Sequence, residues 1–285
     1  MLKGTISAAK LDWPKADIFI ATTTPYEEYR AANSCKKESH TVEWLEEYVK
    51  PGQVVYDIGA NVGAYSLIAG HLVGETGMVY AMEPASMMNA ALVANVRLNS
   101  MNKQVWPVHL ALSDNRFLGV LNVFSPTSGA ANHTLSKSIA GEFDEPTVVM
   151  QLDLLRTIFE LKRPNHIKID VDGHELQVVT GAKRTLKDPH LESVLIEIDE
   201  REINKKAWGR VGETMTSIGY TMLRKDELTE EQVFNCLFVK PVLPDVIDNS
   251  PVDVVAANGN LDGGLKLKDG KITDAMGRII ATLEA

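Results

Sequence analysis

The sequence has few cysteines and no long apolar run. Cys35 and Cys236 are its two cysteines, and they form no C-x-x-C pair. That usage excludes a zinc ribbon or a disulfide framework and is typical of a reducing compartment. No apolar stretch approaches the ~20 residues that span a bilayer, and residues 1–10 lack the apolar segment of a signal peptide. We therefore expect a cytoplasmic protein without a membrane span.

Positive charge is also scarce. The chain carries 29 Lys and Arg against 38 Asp and Glu, a formal net charge of −9, and it has no long basic cluster. Proteins that hold a phosphate backbone concentrate positive charge on one face, so nucleic acid is not expected as a partner. At 285 residues, 45% of them hydrophobic, the chain is long enough to form a large domain with its own core.

Apolar runs rich in β-branched residues alternate with helical patterns from about residue 41 onward, which is typical of βαβ units and a parallel sheet. The predicted strands are 54–58, 78–83, 105–110, 166–171 and 193–198. The predicted helices are 41–48, 63–73, 86–98, 154–161, 175–186 and 207–218. Two final strands, 220–223 and 234–239, are predicted to close the sheet as an antiparallel hairpin. We therefore predict a Rossmann-like α/β fold with a seven-stranded, mostly parallel sheet and helices on both faces.

Two segments depart from this alternation. Residues 113–151 hold Gly, Ser, Asn and Pro around short strand patterns at 118–124 and 147–152, which predicts an irregular β insertion after the third strand. After Pro241, Pro residues and Asn-Gly and Gly-Gly pairs predict a linker and one short hairpin at 265–283. This tail is either a small β element or a contact that forms a homo-oligomer, and the sequence favours neither. The expected division is an extension over 1–40, a Rossmann-like domain over 41–240 and an appendage over 241–285.

The turn after the first strand of the predicted sheet, residues 57–63, reads Asp-Ile-Gly-Ala-Asn-Val-Gly. Gly59 and Gly63 let the backbone approach a ligand closely and supply positive φ values. Asn61 is the next most tolerant residue of left-handed geometry. A glycine-bearing turn alone is a weak indication, because strand-to-helix turns need glycine in any case.

Asp57 narrows the choice of ligand. In a dinucleotide site the pyrophosphate lies at the helix N-terminus, where a carboxylate would repel it. S-adenosylmethionine instead presents an ammonium and a sulfonium, which a carboxylate attracts. Glu83 ends the second strand 26 residues later, close to the ~20-residue offset at which an acid meets ribose hydroxyls. Ser113 and Asp114 fall where a third loop would face the adenine, although an ordinary polar turn also explains them.

A second cluster of ionisable residues follows strand four, in the stretch Lys-Ile-Asp-Val-Asp-Gly-His-Glu at 168–175. Ligands of open α/β sheets bind beyond the carboxyl ends of the strands. Asp170, Asp172 or His174 would suit a general base that removes an acceptor proton. Alternatively, Asp170, Asp172 and Glu197 would suit a hard divalent cation. Helix capping by Asp172 and a surface histidine is the structural alternative.

With these residues in place, the chain resembles the FkbM family of S-adenosylmethionine-dependent methyltransferases. The matching stretches are 41–45, 56–66, 83–84 with 95 and 98–99, 111–114, 167–175 and 181–182. The turn motif is shared by many methyltransferases, whereas the strand-four motif is more specific to this family. One departure is Asp172, where the family usually carries Glu.

The resemblance implies a class I methyltransferase fold and O-methylation of a sugar, a glycan precursor or a small natural product. It also implies residue roles. The residues that would hold the cofactor are Asp57, Gly59, Asn61, Gly63 and Glu83, with Asp114 near the adenine. Asp170 would lie near the transferring methyl group. Two rival hypotheses stay open: an NAD(P)-dependent oxidoreductase, and a non-catalytic module that keeps the cofactor pocket for assembly.

Overall fold

The computed structural model describes residues 7–130, 133–136, 138, 141–201, 205–228, 232–240, 260–261, 265–268, 271–273 and 279–282. Its residues group into two compact units, 1–241 and 242–285. The three-part division predicted from composition stays a prediction.

The first unit is built around a seven-stranded sheet in the order β12-β13-β11-β10-β3-β4-β5. The strands are β3 (Val54–Ile58), β4 (Met78–Met82), β5 (Val105–Val108), β10 (His166–Ile169), β11 (Ser193–Asp199), β12 (Thr221–Glu227) and β13 (Val233–Val239). Five neighbouring strands, β11 to β5 in this order, are parallel. Strand β13 is antiparallel to its neighbour β11, and β12 at the sheet edge is antiparallel to β13. This arrangement confirms the predicted fold class, including the closing hairpin.

Helices connect the strands and cover both faces of the sheet. They are α2 (Ser39–Tyr48), α3 (Ala64–Val73), α4 (Ser86–Leu98), α5 (Leu152–Ile158), α6 (Glu175–Gly181), α7 (Lys183–Lys187) and α8 (Lys205–Ser217). The prediction of one helix over 175–186 is wrong. The chain leaves helical geometry at Ala182, with φ −112° and ψ 8°, where Gly181 packs against the backbone of Ser113.

Side chains alternate between the two faces along each strand, as period-two geometry requires. In β3, Val55 belongs to the apolar layer formed with α2 and α3, whereas Tyr56 and Ile58 belong to the layer formed with α5 to α8. Asp57 has the parity of Val55, and its register partner on β10 is Lys168. The alternation therefore places Asp57 and Lys168 side by side, on the face of the sheet that is covered by the layer with α2 and α3.

The N-terminal residues belong to that same apolar layer. They form β1 (Ala8–Lys10), β2 (Phe19–Ala21) and α1 (Pro25–Lys37). Buried side chains of this segment, such as Trp13 and Ile20, are part of the core beneath α2, α3 and α4. Helix α1 begins at a capping box in which Thr24 and Glu27 satisfy each other's backbone N–H groups. The packing holds one end of α1 close to the carboxyl ends of the strands.

The predicted β insertion is a separate four-stranded sheet in the order β6-β9-β7-β8. Its strands are β6 (Ala111–Leu112), β7 (Phe117–Asn122), β8 (Thr134–Ser136) and β9 (Glu145–Met150). The insertion is more regular than the sequence pattern suggested, since β7 pairs with both β8 and β9 in continuous register.

Where the second unit is described, the chain forms four short antiparallel strands, whereas a single hairpin was expected. They are β14 (Asn260–Leu261), β15 (Leu265–Lys268), β16 (Lys271–Thr273) and β17 (Ile279–Thr282). Across the described ranges of both units, each helix is too short or too polar to cross a bilayer.

Candidate active site

A cavity of about 530 Å³ opens at the carboxyl ends of the parallel strands, within the size range of small-molecule sites. It is lined by predicted site residues from four strand ends, those of β3, β4, β10 and β11. These are Gly59, Asn61, Glu83, Asp170, Asp172, His174 and Glu197. Four others lie outside the lining: Asp57, Gly63, Ser113 and Asp114. The fold thus brings together the turn, the second strand end and the strand-four cluster.

Gly59 is required by packing as well as by its backbone angle. Its φ is 88°, and a Cβ built on it would lie 1.7 Å from the carbonyl oxygen of Asp170. The turn after β3 therefore presses directly against the end of β10. Only a residue without a side chain permits this approach, which draws two parts of the cavity wall together.

Asn61 and Glu83 connect the turn to the end of β4. Asn61 has φ 50°, and its backbone N–H donates to Oε2 of Glu83 at 2.8 Å. The other oxygen of Glu83 accepts the N–H of Ala85, also at 2.8 Å. Each carboxylate oxygen has a second acceptor position. Glu83 is therefore oriented by the backbone and still has room to accept hydroxyl donors from a ligand.

Burial affects the ionisation of Glu83. Only 5% of the residue is exposed, and burial raises the pKa of its carboxyl to about 7, although the N–H groups of Ala85 and Asn61 act in the opposite direction. A carboxyl at this pKa changes charge near neutral pH, so a ligand that donates hydrogen bonds to it favours the ionised form.

Asp57 lies behind the cavity wall. Its Oδ2 accepts a hydrogen bond from Ser66 at 2.5 Å, while Oδ1 is buried without a hydrogen-bond partner among the described residues. Burial raises the pKa of Asp57, and the neighbouring Lys168 ammonium opposes that rise. An unsatisfied buried carboxylate oxygen is costly, which makes Asp57 a ready acceptor for a positively charged ligand group or a bound water.

Three carboxylates converge at the far side of the cavity. Glu38, Asp170 and Glu197 each offer an oxygen within 4.8 Å of the other two. Burial, reinforced by the charges of Asp170 and Glu38, raises the pKa of Glu197 well above its ordinary value. The cluster therefore attracts positive charge or a proton.

Lys168 adds a positive charge to this cluster of carboxylates. Its Nζ donates to Oδ2 of Asp170 at 2.7 Å, and it lies 5.3 Å above the ring of Tyr65. Burial works to lower the pKa of Lys168, but the carboxylates around it, led by Asp170 and Glu38, outweigh burial and raise it. The ammonium thus occupies one oxygen of Asp170, Oδ2.

The chemistry of this cluster bears on the predicted set of ligands for a divalent metal ion. Carboxylate oxygens suit a hard divalent cation, and Glu38 takes the place in the group that the sequence prediction gave to Asp172. However, a cation bound there would compete with the Lys168 ammonium for Asp170. That fixed charge favours a proton-accepting role for the cluster over a metal-binding role.

Asp172 and Gly173 form a left-handed turn after β10, with φ 51° and 93°. The predicted strand therefore ends at Ile169, and Asp172 leaves the extended backbone. The turn is stabilised by Glu175, whose Oε1 accepts the N–H of Gly173 at 3.0 Å. Burial raises the pKa of the Glu175 carboxyl to about 7. Asp172 thus enters the cavity from a bent loop.

His174 is held by the residue expected near the adenine. Its Nε2 lies 2.9 Å from Oγ of Ser113, and the same hydroxyl donates to Oδ1 of Asp114 at 3.2 Å. Burial lowers the pKa of His174, so the imidazole is neutral at pH 7. Ser113 and Asp114 therefore contact the cavity wall through His174.

Several cavity residues come from parts of the chain that the sequence analysis did not assign to the site. Those from α1 and its end are Arg30, Lys37 and Glu38, and Arg201 follows β11. From the insertion come Leu121, His133, Thr134 and Leu135. No local motif marks them, because only the packing of α1 and of the insertion sheet brings them to the strand ends.

The charge of the cavity wall suits a cationic ligand. Among the described lining residues, seven acids face three bases. The acids are Glu38, Glu83, Asp170, Asp172, Glu175, Glu197 and Asp199. A pyrophosphate would meet strong repulsion here, whereas the sulfonium and ammonium of S-adenosylmethionine would be stabilised. Together with the orientation of Glu83 and the unpaired oxygen of Asp57, the lining fits this methyl donor.

Known proteins resemble this chain as follows. Hexuronic acid methyltransferase AglP of Haloferax volcanii is 28% identical over 206 residues, covering 72% of this chain and 81% of that protein. The crystal structure of methyltransferase FkbM from Methylobacillus flagellatus is 16% identical with a TM-score of 0.47, over 75% of this chain and 52% of that one. Fibrillarin of Aeropyrum pernix, solved with natively bound S-adenosyl-L-methionine, is 12% identical with a TM-score of 0.49, over 83% and 99%.

The family comparison covers the strands and loops that build the cavity. The family model described as the methyltransferase FkbM domain matches residues 57–222. The match begins in β3 and ends in β12, and it confirms the resemblance found in the sequence motifs. Because it spans more than half of the chain, this protein belongs to the FkbM methyltransferase family.

Proposed function

We propose that this protein transfers the methyl group of S-adenosylmethionine to an oxygen of a sugar acid or of a glycan that contains one. The observation that carries the proposal is that two sets of residues share one cavity. Glu83 and the turn at 59–63 face the carboxylates of Glu38, Asp170 and Glu197 there. The relative AglP, named a hexuronic acid methyltransferase, supports a sugar acid as the acceptor class.

The donor side of the site is formed by Glu83, Asn61 and Asp57. Glu83 accepts hydroxyl donors, Asn61 shapes the turn that the donor lies against, and Asp57 contributes negative charge behind that turn. Ser113 closes the adenine end through its contact with His174, and Asp114 accepts a hydrogen bond from Ser113. Placement and charge support these roles, which agree with those that the family resemblance implies.

The acceptor side is formed by the carboxylate cluster. A methyl donor supplies an activated methyl group, so that a carbon–oxygen bond forms as the carbon–sulfur bond breaks and S-adenosylhomocysteine leaves. Oδ1 of Asp170 accepts the proton of a hydroxyl acceptor, while Lys168 holds Oδ2. Most of the rate acceleration is expected from holding both reactants in line, away from water.

A labelled-methyl assay tests the proposal directly. Purified protein is incubated with S-adenosylmethionine carrying a labelled methyl group and with a panel of uronic-acid glycosides, neutral glycosides and glycan extracts. Label is expected on an oxygen of an acidic sugar, identified by mass spectrometry. Donor binding without label on any sugar oxygen would contradict the proposal and favour an assembly module that retains the pocket.

A further inference from the structure

Three basic side chains line the acidic cavity, and they differ in how their charge is compensated. They are Arg30, Lys37 and Arg201. Arg201 donates from Nε and Nη2 to the two oxygens of Asp199, at 2.8 and 2.6 Å. Arg30 and Lys37, in contrast, take part in no ion pair within the described part of the chain. Two cations without a direct ion pair among the described residues therefore face a site that is otherwise rich in carboxylates.

Arg30 is oriented by the loop at 128–130. Its Nε–H donates to the carbonyl of Gly129 at 2.7 Å. That loop is fixed to the start of α1, because Ser128 donates from its hydroxyl to Glu27 at 2.6 Å and accepts at its carbonyl from Thr24 at 2.7 Å. The bond at Nε sets the guanidinium plane and leaves both Nη groups available to a planar, bidentate anion.

The charge of Arg30 acts inside the cavity. It lowers the pKa of Glu83, against the effect of burial, and it adds to the burial that lowers the pKa of His133. Both of these residues line the cavity. The guanidinium is therefore close enough to the site to interact with a bound ligand.

Lys37 extends the same basic face. It follows Arg30 by seven residues in α1, which places the two side chains on one side of the helix and about 10 Å apart along its axis. Both are half-buried. Favourable interaction with the helix C-terminus explains a lysine in the last turn, but Lys36 shares that position, is exposed and does not line the cavity. Of these two lysines at the end of the helix, only Lys37 also lines the cavity.

We propose that Arg30 and Lys37 bind the carboxylate of the acceptor and so select an acidic sugar over a neutral one. This inference rests on the proposed function for the sugar nature of the acceptor. Charge-assisted hydrogen bonds to a carboxylate are stronger than those to a neutral group, and a neutral sugar leaves both cations without an ion pair. A second source of a carboxylate is the methionine end of the donor, and the experiment separates the two.

The test measures binding to the full-length protein saturated with S-adenosylhomocysteine. Titration calorimetry compares p-nitrophenyl β-D-glucuronide with p-nitrophenyl β-D-glucoside, which differ by a carboxylate in place of a hydroxymethyl group. The parent is expected to bind the glucuronide about ten-fold or more tightly than the glucoside, in line with one charge-assisted bond. Arg30→Gln and Lys37→Gln are each expected to lose most of that preference. Lys36→Gln, the matched control on the same helix turn, is expected to keep it.

Several outcomes would overturn the inference. Equal or undetectable binding of the two glycosides by the parent does so, as does a preference that survives in both variants. A weaker affinity for S-adenosylhomocysteine with an unchanged glucuronide preference assigns the cations to the donor and also overturns it. Thermal unfolding of each variant verifies folding. If the variants lose the glucuronide preference but no sugar in the labelled-methyl assay is methylated, the proposed function fails, while the assignment of Arg30 and Lys37 to carboxylate binding stands.

Discussion

The carboxylate of Glu83 accepts the backbone N–H of Asn61 at 2.8 Å, across the gap between the turn after β3 and the end of β4. Asn61 itself has a left-handed backbone, with φ 50°, so the chain turns sharply at the point of this contact. One buried carboxylate therefore holds the turn in shape and at the same time lines the cavity that the turn bounds.

Replacing Glu83 by Gln is expected to weaken the binding of S-adenosylhomocysteine by about ten- to a hundred-fold, because hydrogen bonds to a charged acceptor are worth about 1.5–3 kcal/mol. The amide keeps one acceptor oxygen but loses the charge and presents a donor to a backbone N–H. Calorimetric titration measures the change. Glu75→Gln, at an exposed position, is the control, and equal affinities for the two variants would show that Glu83 does not contact the donor.

The pH dependence of stability follows from the same residue. Burial raises the pKa of Glu83 from its ordinary 4.5 to about 7 in the folded protein, so between these values the folded protein binds more protons than the unfolded chain. Its contribution to stability is therefore present below pH 4.5 and is lost as the pH rises through 7. Relative to the parent, the free energy of unfolding of Glu83→Gln should rise by about 1–3 kcal/mol between pH 5 and pH 8.

Urea denaturation at the two pH values measures this difference, and other titrating groups such as Glu175 cancel because both proteins share them. A difference between variant and parent that stays constant with pH would mean that the Glu83 carboxyl is not perturbed in the folded protein.

Gly59→Ala is expected to destabilise the protein by about 3 kcal/mol or more. Its Cβ would overlap the carbonyl oxygen of Asp170, and its φ of 88° is unfavourable for alanine. Gly209→Ala is the matched control. Gly209 lies in α8 with no atom within 4 Å of the added Cβ, so alanine should stabilise by about 0.5–1 kcal/mol. Denaturant unfolding checks both signs, and a well-tolerated Gly59→Ala would rule out the tight contact between the turn and β10.

Asp170→Asn is expected to lower kcat by about 10²- to 10⁴-fold, the usual contribution of a general base, while the affinity for S-adenosylhomocysteine changes by much less. Asp17→Asn, at an exposed position, serves as the control. Initial rates of labelled-methyl transfer and calorimetry separate the two effects. A variant that retains the parental kcat would exclude Asp170 as the base.

The alternative that the carboxylate cluster binds a metal ion is tested by the effect of a chelator on activity. Since Lys168 already compensates Asp170, activity is expected to be unchanged after treatment with a chelator. Loss of activity that returns on adding a divalent cation would instead assign Glu38, Asp170 and Glu197 to a metal site.

Local pattern was a sound guide where the structure itself is local. Strand β3 and helix α4 begin and end where their apolar patterns predicted, at Val54–Ile58 and Ser86–Leu98. The left-handed backbone of Asn61 followed from its place in a glycine-bearing turn. The break at Ala182 was not visible, because it depends on a contact between Gly181 and the distant Ser113.

The amino-acid sequence by itself determined the fold class, the turn after β3 and the family of the protein. Apolar patterns of period two and period 3.6, and a glycine-bearing turn, depend only on residues that are close together along the chain. Only the tertiary structure decided which charges share the cavity. Glu38 joins Asp170 and Glu197, and Arg30 and Lys37 enter from the same helix, because the apolar packing of the N-terminal segment carries α1 to the strand ends. Such long-range placement leaves no trace in the spacing of the residues along the chain.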